Sequence, residues 1–290
     1  MTQLFINSLA SACMNLLIAI SFWLVYAPTK TFYVSHAAAI TLGAYCCHFL
    51  NHHAGIPFVV AACLSVAGIA LSFAALETSF SQSLRSRSNS WIGLVASIGL
   101  YVVILNIISI SFGDEALLLS PGSVNVGHKI GGGYVTNAQI IMMCSGVISY
   151  VGIALLLART RLGRAIRGVS SNPELCLLFG IVQSHITLWA VGIGSGLAAI
   201  AGVLSALDSH MTPAMGFRLL MNGVVVTIVG GAGGVSGFVW AALLLAIAQQ
   251  STAFFGDSKW VDAVVFLILI GFLIWKPLGF SGGRIRKVEA

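Results

Sequence analysis

The sequence predicts an all-α membrane protein: a bundle of eight or nine spanning helices, with a Gly-rich broken or re-entrant helix and a short helix on the cytoplasmic side. Only 8% of the 290 residues are charged and 58% are hydrophobic, whereas soluble domains carry about 25% charged residues. Lipid must therefore cover most of the surface. In lipid the backbone must be helical or form a closed barrel, and apolar runs such as 147–158 lack the alternation of barrel strands.

Hydropathy places the individual spans, since a helix needs roughly 20 mainly apolar residues to cross the hydrocarbon. The predicted spans are 4–26, 33–50, 57–76, 91–112, 137–158, 186–207 and 260–276. The apolar stretch 219–250 is too long for one span, and the glycines within 230–237 interrupt it. We predict two half-helices or short spans around a glycine loop there. No cleavable signal peptide is predicted, and a single transmembrane domain is expected over 1–290.

The distribution of Lys and Arg predicts the orientation, because short basic loops stay cytoplasmic. The predicted inner face collects eleven of the 14 basic residues, and the outer face collects Lys129, Arg218 and Lys259. The loops 77–90 and 159–185 and the C-terminus are therefore expected inside. The loop 113–136 is expected outside, and the side of the N-terminus is left open. The net charge of +6 is thus explained by topology and by anionic lipid, which argues against nucleic-acid binding.

The chain shows no catalytic or nucleotide-binding pattern. It has no G-x-x-x-x-G-K-[ST] phosphate loop, and the glycine run 230–237 lacks the required Lys. There is no H-E-x-x-H, no G-x-S-x-G and no cysteine spacing typical of a metal site. We therefore expect no enzyme activity, metal or bound cofactor. If ATP drives the protein, another chain must bind it.

A stand-alone secondary carrier remains an alternative. Such a carrier needs a titratable group within the membrane, and the predicted spans contain no carboxylate clearly at their centre. Asp208 and Asp262 lie near predicted span ends, while His36, His48 and His185 are possible substitutes.

The loop 159–181 contains the signals of a short helix. Asn172 suits the N-cap, Pro173 suits the first helical position, and Glu174 is favoured by the positive end of a helix. Gly180 suits the C-terminal cap. These residues predict a helix over 173–179.

The predicted helix carries an apolar face of Leu175, Leu178 and Phe179, at helical spacing. A short amphipathic helix can insert into a groove of a partner protein. Arg164 and Arg167, three residues apart on the preceding segment, can pair with acidic groups on such a partner. A connector lying on lipid, with basic residues that set topology, explains the composition equally well.

The same loop resembles that of the permeases of branched-chain amino acid ABC transporters. That family carries T-x-x-G-R-A-x-R-A, then N-P-E and L-x-G-I. The matching residues are Thr160, Gly163, Arg164, Ala165, Arg167, Asn172, Pro173, Glu174, Leu178, Gly180 and Ile181. The resemblance continues through 198–204, Pro213, 215–216, 229–237 and 279–280, and so covers the C-terminal two-thirds of the chain.

The N-terminal half matches the family more loosely. Family members carry an N-F-A-H-G-E-like stretch followed by L-G-A-Y. Here His36 and the sequence 42–45 match, whereas the Asn, Gly and Glu do not. If this stretch lines the path, the departure implies a different or altered cargo.

The resemblance implies a multi-pass subunit of the cell inner membrane that moves solute by alternating access. The assembly would contain a second permease subunit, cytoplasmic ATP-binding subunits that carry the ATP, and an external solute-binding protein. The cargo would be branched-chain amino acids, or relatives such as urea, short amides or small organic acids.

Two sets of candidate site residues follow. The ATPase-coupling set is Arg164, Arg167, Asn172, Pro173, Glu174, Leu178 and Gly180. The translocation-path set is Ser35, His36, Asn222, Gly230, Gly231, Gly233, Gly234 and Gly237. Small residues let helices approach closely, and a broken helix can line a path. For each polar path residue taken singly, interhelical packing with internal hydrogen bonds is the favoured explanation.

Overall fold

A computed structural model describes residues 1–81, 90–119, 127–130, 132–231, 234–276 and 279–280. These residues form eleven α-helices, a π-helix and a short hairpin. The α-helices are α1 (Thr2–Thr29), α2 (His36–His52), α3 (Phe58–Leu76), α4 (Ser90–Phe112), α5 (Asn137–Arg159), α6 (Arg161–Ser171), α7 (Pro173–Leu178), α8 (Gln183–Asp208), α9 (Met215–Gly230), α10 (Ser236–Phe255) and α11 (Val261–Trp275). The π-helix Glu77–Ser81 continues α3, and a 3₁₀ turn, Ser258–Trp260, precedes α11.

The hairpin lies in the loop before α5. Its strands β1 (His128–Ile130) and β2 (Gly133–Val135) are antiparallel, with His128 opposite Val135. Gly132 takes a φ of +90° between them, a conformation that glycine adopts without steric cost.

Seven helical segments in the described part of the chain are long and apolar enough to cross a membrane. They are Thr2–Thr29, Phe58–Ser79, Trp91–Phe112, Asn137–Arg159, Gln183–Asp208, Ser236–Phe255 and Ser258–Trp275. Six correspond to predicted spans, and the seventh is the second half of the stretch 219–250. Helices α2 and α9 have only 17 and 16 residues. A total of eight or nine requires α2, α9 or both to cross as well, and stays a prediction.

The described residues fall into two compact units. Unit A takes those within Met1–Ile20, Val126–Tyr150 and Asn222–Ala290, and unit B those within Ser21–Asn125 and Val151–Met221. Helices α1, α5 and α9 contribute residues to both. The single domain expected over 1–290 stays a prediction beside this division.

Unit B is built around close contact between α2 and α8. A Cβ added at Gly202 of α8 would lie 1.8 Å from the carbonyl oxygen of Ile40, and one at Gly43 of α2 would lie 2.6 Å from the Cα of Ala199. The two backbones therefore touch, as small residues allow in membrane proteins. Helix α3 packs against both α2 and α8.

Unit A contains a polar face on the first half of α1, which we call the amide ladder. Its members recur every four residues and so share one side of the helix: Gln3, Asn7, Ser11 and Asn15. Gln139 of α5 donates to Asn7 at 3.3 Å. From α10, Gln250 donates to Ser11 at 2.8 Å, and Gln249 accepts from Asn15 at 3.0 Å.

Large apolar side chains remain on the surface of the spans. Ile110 is 86% exposed and Trp275 is 90% exposed. Exposed apolar surface of this kind is expected where lipid, rather than water, surrounds the helices.

Candidate functional site

Helix α6 has one buried and one basic face. Its first turn is capped by Thr160, whose Oγ accepts a hydrogen bond from the N–H of Gly163 at 3.0 Å. On each face the residues follow one another at a spacing of three. The buried face carries Gly163, Ile166 and Val169, and the exposed face carries Arg161, Arg164 and Arg167. A Cβ at Gly163 would lie 2.1 Å from the carbonyl oxygen of Leu156, so α6 folds back tightly on the end of α5.

The structure forms the short helix that the loop sequence predicts, one residue shorter than expected. Asn172 caps α7 by accepting from the N–H of Leu175 at 3.0 Å, and Pro173 opens the helix. Gly180 takes a φ of +77°, and its N–H donates to the carbonyl of Leu177 at 3.0 Å. Both predicted caps are therefore present.

Helix α7 exposes almost all of its apolar side chains. Leu178 is 83% exposed, Phe179 is 77% exposed and Leu175 is 52% exposed. Cys176 alone within α7 is buried, and it packs against α6, where a Cβ at Gly168 would lie 3.0 Å from its Sγ. Burial of one residue fixes the helix in place and leaves its apolar face outward.

The predicted coupling residues thus share one exposed region of unit B, which we call the coupling surface. It combines the basic face of α6 with the apolar face of α7: Arg164, Arg167, Leu175, Leu178 and Phe179. Helices α6 and α7 pack on each other and both contact α8.

The predicted path residues divide between the two units. Ser35 and His36 begin α2 in unit B and are buried, with the His36 Nε2 2.8 Å from the Ser21 Oγ. Asn222 lies in unit A and is half-buried.

The glycine residues of the path set lie at and around the junction between two helices, where α9 ends at Gly230 and α10 begins at Ser236. Gly231 takes a φ of +87°. A Cβ at Gly230 would lie 2.6 Å from the ring of Phe238. Of the remaining three, Gly237 is buried, Gly234 is half-buried, and Gly233 lies outside the described residues. Whether this segment is re-entrant stays a prediction.

A small cavity of about 20 Å³, partly open to the outside and large enough for about one water molecule, lies within unit B beside the start of α2. Its polar lining comes from three segments of chain: Tyr33, Ser35 and His36 at the start of α2, Glu77 of the π-helix, and Ser195 of α8. Apolar side chains of α1, α3, α4 and α8 form the rest of the wall. We call it the Glu77 cavity.

Glu77 lines this cavity but is not among the site residues predicted from the sequence. It is 1% exposed, and the hydroxyl of Tyr33 donates to its Oε2 at 3.0 Å. The predicted span ended at residue 76, so Glu77 was assigned to the inner loop 77–90. In the structure it lies inside the spanning segment Phe58–Ser79, in the π-helix. An acidic residue directly joined to a long apolar run was the available signal.

Metal binding finds no support in the residues that the structure describes. No group of three His, Cys, Asp or Glu side chains there is placed to hold an ion.

The comparisons with known proteins agree on one family. The sequence model of the family described as the permease component of the branched-chain amino acid transport system matches residues 4–273. The high-affinity branched-chain amino acid transport system permease protein BraD of Pseudomonas aeruginosa is 26% identical over 99% of this chain and 97% of its own length. The corresponding protein LivH of Escherichia coli K12 is 24% identical over 94% of this chain and 92% of its own.

More distant similarity extends to another import system. The autoinducer 2 import system permease protein LsrC of Yersinia enterocolitica is 26% identical over 47% of this chain and 38% of its own length. No solved structure matches the chain.

Proposed function

The chain belongs to the permease-component family of branched-chain amino acid transport systems, and from this premise we propose that it is the membrane-spanning subunit of an ATP-driven importer. Family membership confirms the resemblance predicted from the loop 159–181. The chain is a multi-pass membrane protein and a transport subunit, not an enzyme. Membership also favours an importer subunit over a stand-alone carrier.

The coupling surface is the observation that carries the proposal. Leu178 and Phe179 are more than three-quarters exposed on a helix next to the basic face of α6. Burying one such apolar side chain is worth roughly 1.5–3 kcal/mol. A partner groove that covers α7 gains this energy, and acidic groups at its rim gain pairing with Arg164 and Arg167. We assign that groove to cytoplasmic ATP-binding subunits.

A chain of close helix contacts connects α7 with the interior of unit B. Cys176 ties α7 to α6, and Gly163 ties α6 to the end of α5. Both short helices also contact α8, which touches α2 at Gly202. Close-packed helices transmit displacement because they have little free volume. Closure of the ATP-binding subunits on ATP would therefore shift α8 and α2, and with them Ser35 and His36.

The rest of the assembly follows the family. A second permease subunit, an external solute-binding protein and a location in the cell inner membrane complete the proposal. ATP is bound by partner subunits, and this chain binds no cofactor of its own. Its cargo is a branched-chain amino acid or a related small solute, which Asn222 and the glycine residues of the path set help to admit during alternating access.

The coupling step is tested in proteoliposomes that contain the complete importer. Leu178→Glu places a charge in the proposed groove and Arg167→Glu reverses a rim charge. We expect co-purification of the ATP-binding subunits and solute-stimulated ATP hydrolysis to fall about tenfold for Leu178→Glu, which corresponds to about 1.4 kcal/mol, and less for Arg167→Glu.

The matched control is Leu118→Glu, since Leu118 is an exposed leucine that lies after α4, outside the coupling surface. It should leave assembly unchanged. Normal assembly and stimulation in both coupling variants would overturn the proposal. Uptake by this chain alone in liposomes without any ATP-binding subunit would instead support the secondary carrier.

A further inference from the structure

We propose that helix α4 is the surface on which a second copy of this chain docks, and that a pair of Asn106 amides fixes the contact. The inference rests on the proposed function, because it identifies the second permease subunit of that assembly and the helix that binds it. We call the docking face the α4 seam. It consists of five exposed residues of α4: Ile92, Val95, Gly99, Val102 and Asn106.

Asn106 is an exposed polar side chain inside a spanning helix. It lies about 7 Å from the midpoint of the segment Trp91–Phe112, at a rise of about 1.5 Å per residue. The hydrocarbon extends about 15 Å to either side of the bilayer centre, so the amide lies where there is no water to bind it. A polar group in hydrocarbon that lacks hydrogen-bond partners is energetically costly.

The side-chain hydrogen bond of Asn106 stays within its own helix. In the described part of the chain this side chain makes one bond, in which Nδ2 donates to the carbonyl of Val102 at 2.7 Å. Every other Asn or Gln of the seven spanning segments bonds to a group outside its own helix, as Asn15 does with Gln249. Amides in these segments therefore join one element to another, and by the same use Asn106 joins α4 to a helix of another chain.

The seam has the spacing of a helix–helix contact. Its members follow one another at intervals of three, four, three and four residues, which is the a/d pattern of two helices that pack side by side. Gly99 precedes Asn106 by one heptad, and a Cβ added to it would meet nothing within 4 Å among the described residues. Glycine weakens a helix relative to alanine, and packing within unit B gives no reason for it here. A small residue lets the backbone of a neighbouring helix approach closely.

The remainder of α4 is compatible with a symmetric contact. A twofold axis brings like residues together, so any charge near the axis would repel its counterpart. The helix Ser90–Phe112 contains no Asp, Glu, Lys or Arg. It packs mainly on α2, which leaves the seam accessible. Three members of the seam, Ile92, Val95 and Val102, are β-branched and therefore lose little side-chain freedom when they pack.

The chemistry of the amide selects a second copy of the same helix. With one N–H bonded to Val102, Asn106 has its other N–H as a donor and its Oδ1 as an acceptor. Two such amides can each donate to the other. Copies in one membrane share one topology, so their α4 helices run parallel, and a twofold axis along the bilayer normal brings each seam residue near its counterpart. A single Asn at an a position fixes the register of such a pair.

Self-association of the full-length chain in liposomes tests the seam. Two samples of the chain carry a donor and an acceptor fluorophore, and energy transfer is measured as the protein is diluted in lipid. We expect the wild type to dimerise. Asn106→Leu removes the amide and should raise the dissociation constant about tenfold, whereas Asn106→Gln keeps an amide and should stay within about threefold of the wild type. Gly99→Leu blocks close approach and should weaken association by at least about tenfold.

The matched control is Gly68→Leu. Gly68 is an exposed glycine of α3, outside the seam, and an added Cβ there also meets nothing within 4 Å. This variant should leave the dissociation constant within about twofold of the wild type. The thermal stability of the diluted, monomeric protein should be the same for the wild type and Asn106→Leu, because the Asn106 side chain is exposed; a purely internal role of Asn106 would lower it.

Disulfide cross-linking locates the contact in the complete importer. Asn106→Cys, oxidised with copper phenanthroline in proteoliposomes, should give a covalent dimer of this chain. Leu71→Cys places a thiol on the exposed side of α3 and should not. The wild type, with its native cysteines, gives the background.

Three results would overturn the inference. They are a wild type that stays monomeric at every dilution, an Asn106→Leu variant that associates as tightly as the wild type, and an Asn106→Cys cross-link to a permease chain of different sequence. Each leaves the proposed function intact if ATP still drives solute uptake by the complete importer, and absence of that uptake would count against the proposed function itself.

Discussion

Units A and B both bury polar groups within helices, but the groups differ in kind. The amide ladder of unit A is neutral, and its members pair with Gln139, Gln249 and Gln250 on neighbouring helices. The polar groups of unit B include the ionisable side chains of Glu77, Tyr33 and His36 around a cavity.

Neutral and charged polar groups differ in what they cost inside a membrane. A neutral hydrogen bond between membrane helices is worth about 0.6 kcal/mol on average, whereas a carboxylate at the centre of a span costs about 2.5–3.5 kcal/mol. Neutral amides are therefore suited to fixing which helix faces meet. In unit B, by contrast, ionisable groups surround a small cavity, and the hydroxyl of Tyr33 donates to the carboxylate of Glu77.

The largest expected effect comes from placing a charge in the neutral ladder. Asn15→Asp puts a carboxylate where unit A buries an amide bonded to Gln249 at 3.0 Å. We expect a loss of about 3 kcal/mol in free energy of unfolding, measured by thermal or denaturant unfolding in detergent. Tolerance of this change would show that both units accept charge, and the contrast between them would fail.

Asn137→Asp is the control for that substitution within the same unit. Asn137 is exposed at the first turn of α5, where a negative charge is favoured by the helix dipole. Its stability should stay within about 0.5 kcal/mol of the wild type.

The second effect concerns glycine contacts, which both units use. Gly202→Ala in unit B places a methyl 1.8 Å from the carbonyl oxygen of Ile40, and Gly146→Ala in unit A places one 2.7 Å from the carbonyl oxygen of Cys13. We expect losses of about 2–3 kcal/mol and about 1 kcal/mol respectively, read as shifts in the unfolding midpoint of the purified protein.

Gly68→Ala calibrates those two variants, because nothing lies within 4 Å of a Cβ at that position of α3. It should be neutral or stabilise the helix by roughly 0.5–1 kcal/mol. If Gly202→Ala and Gly146→Ala lose the same free energy of unfolding, the closer helix contact in unit B contributes no more to stability than the contact in unit A.

The smallest effect is the coupling within the ladder itself. A double-mutant cycle with Asn15→Leu and Gln249→Leu isolates their hydrogen bond. We expect a coupling energy of about 0.6 kcal/mol, and at most about 1.7 kcal/mol. A value of several kcal/mol would assign the ladder a larger role than helix pairing.

Local signals explain how much of the coupling surface could be predicted from the sequence. Asn172, Pro173 and Gly180 act on backbone groups within a few residues, so the caps of α7 follow from sequence alone. Most spans were predictable for a similar reason, since length and hydropathy are properties of one segment. The division of 219–250 followed from its glycines.

Tertiary packing explains what the sequence could not provide. The burial of Glu77 depends on Tyr33 and on walls contributed by four helices, and no local pattern encodes that arrangement. The four-residue spacing of the amide ladder is visible in the sequence, but its partners lie more than 130 positions away. Coupling and path roles for the named residues stay predictions.

The interleaving of the two units has a consequence for synthesis of the chain. All of unit B is encoded before residue 222, whereas unit A draws on three separated stretches, the last of which begins at Asn222. At 5–20 residues per second, the ribosome needs on the order of ten seconds to supply that last stretch. During this interval the paired glutamines of α10 do not yet exist, and the polar side of the first helix must wait in the insertion machinery or in lipid headgroups.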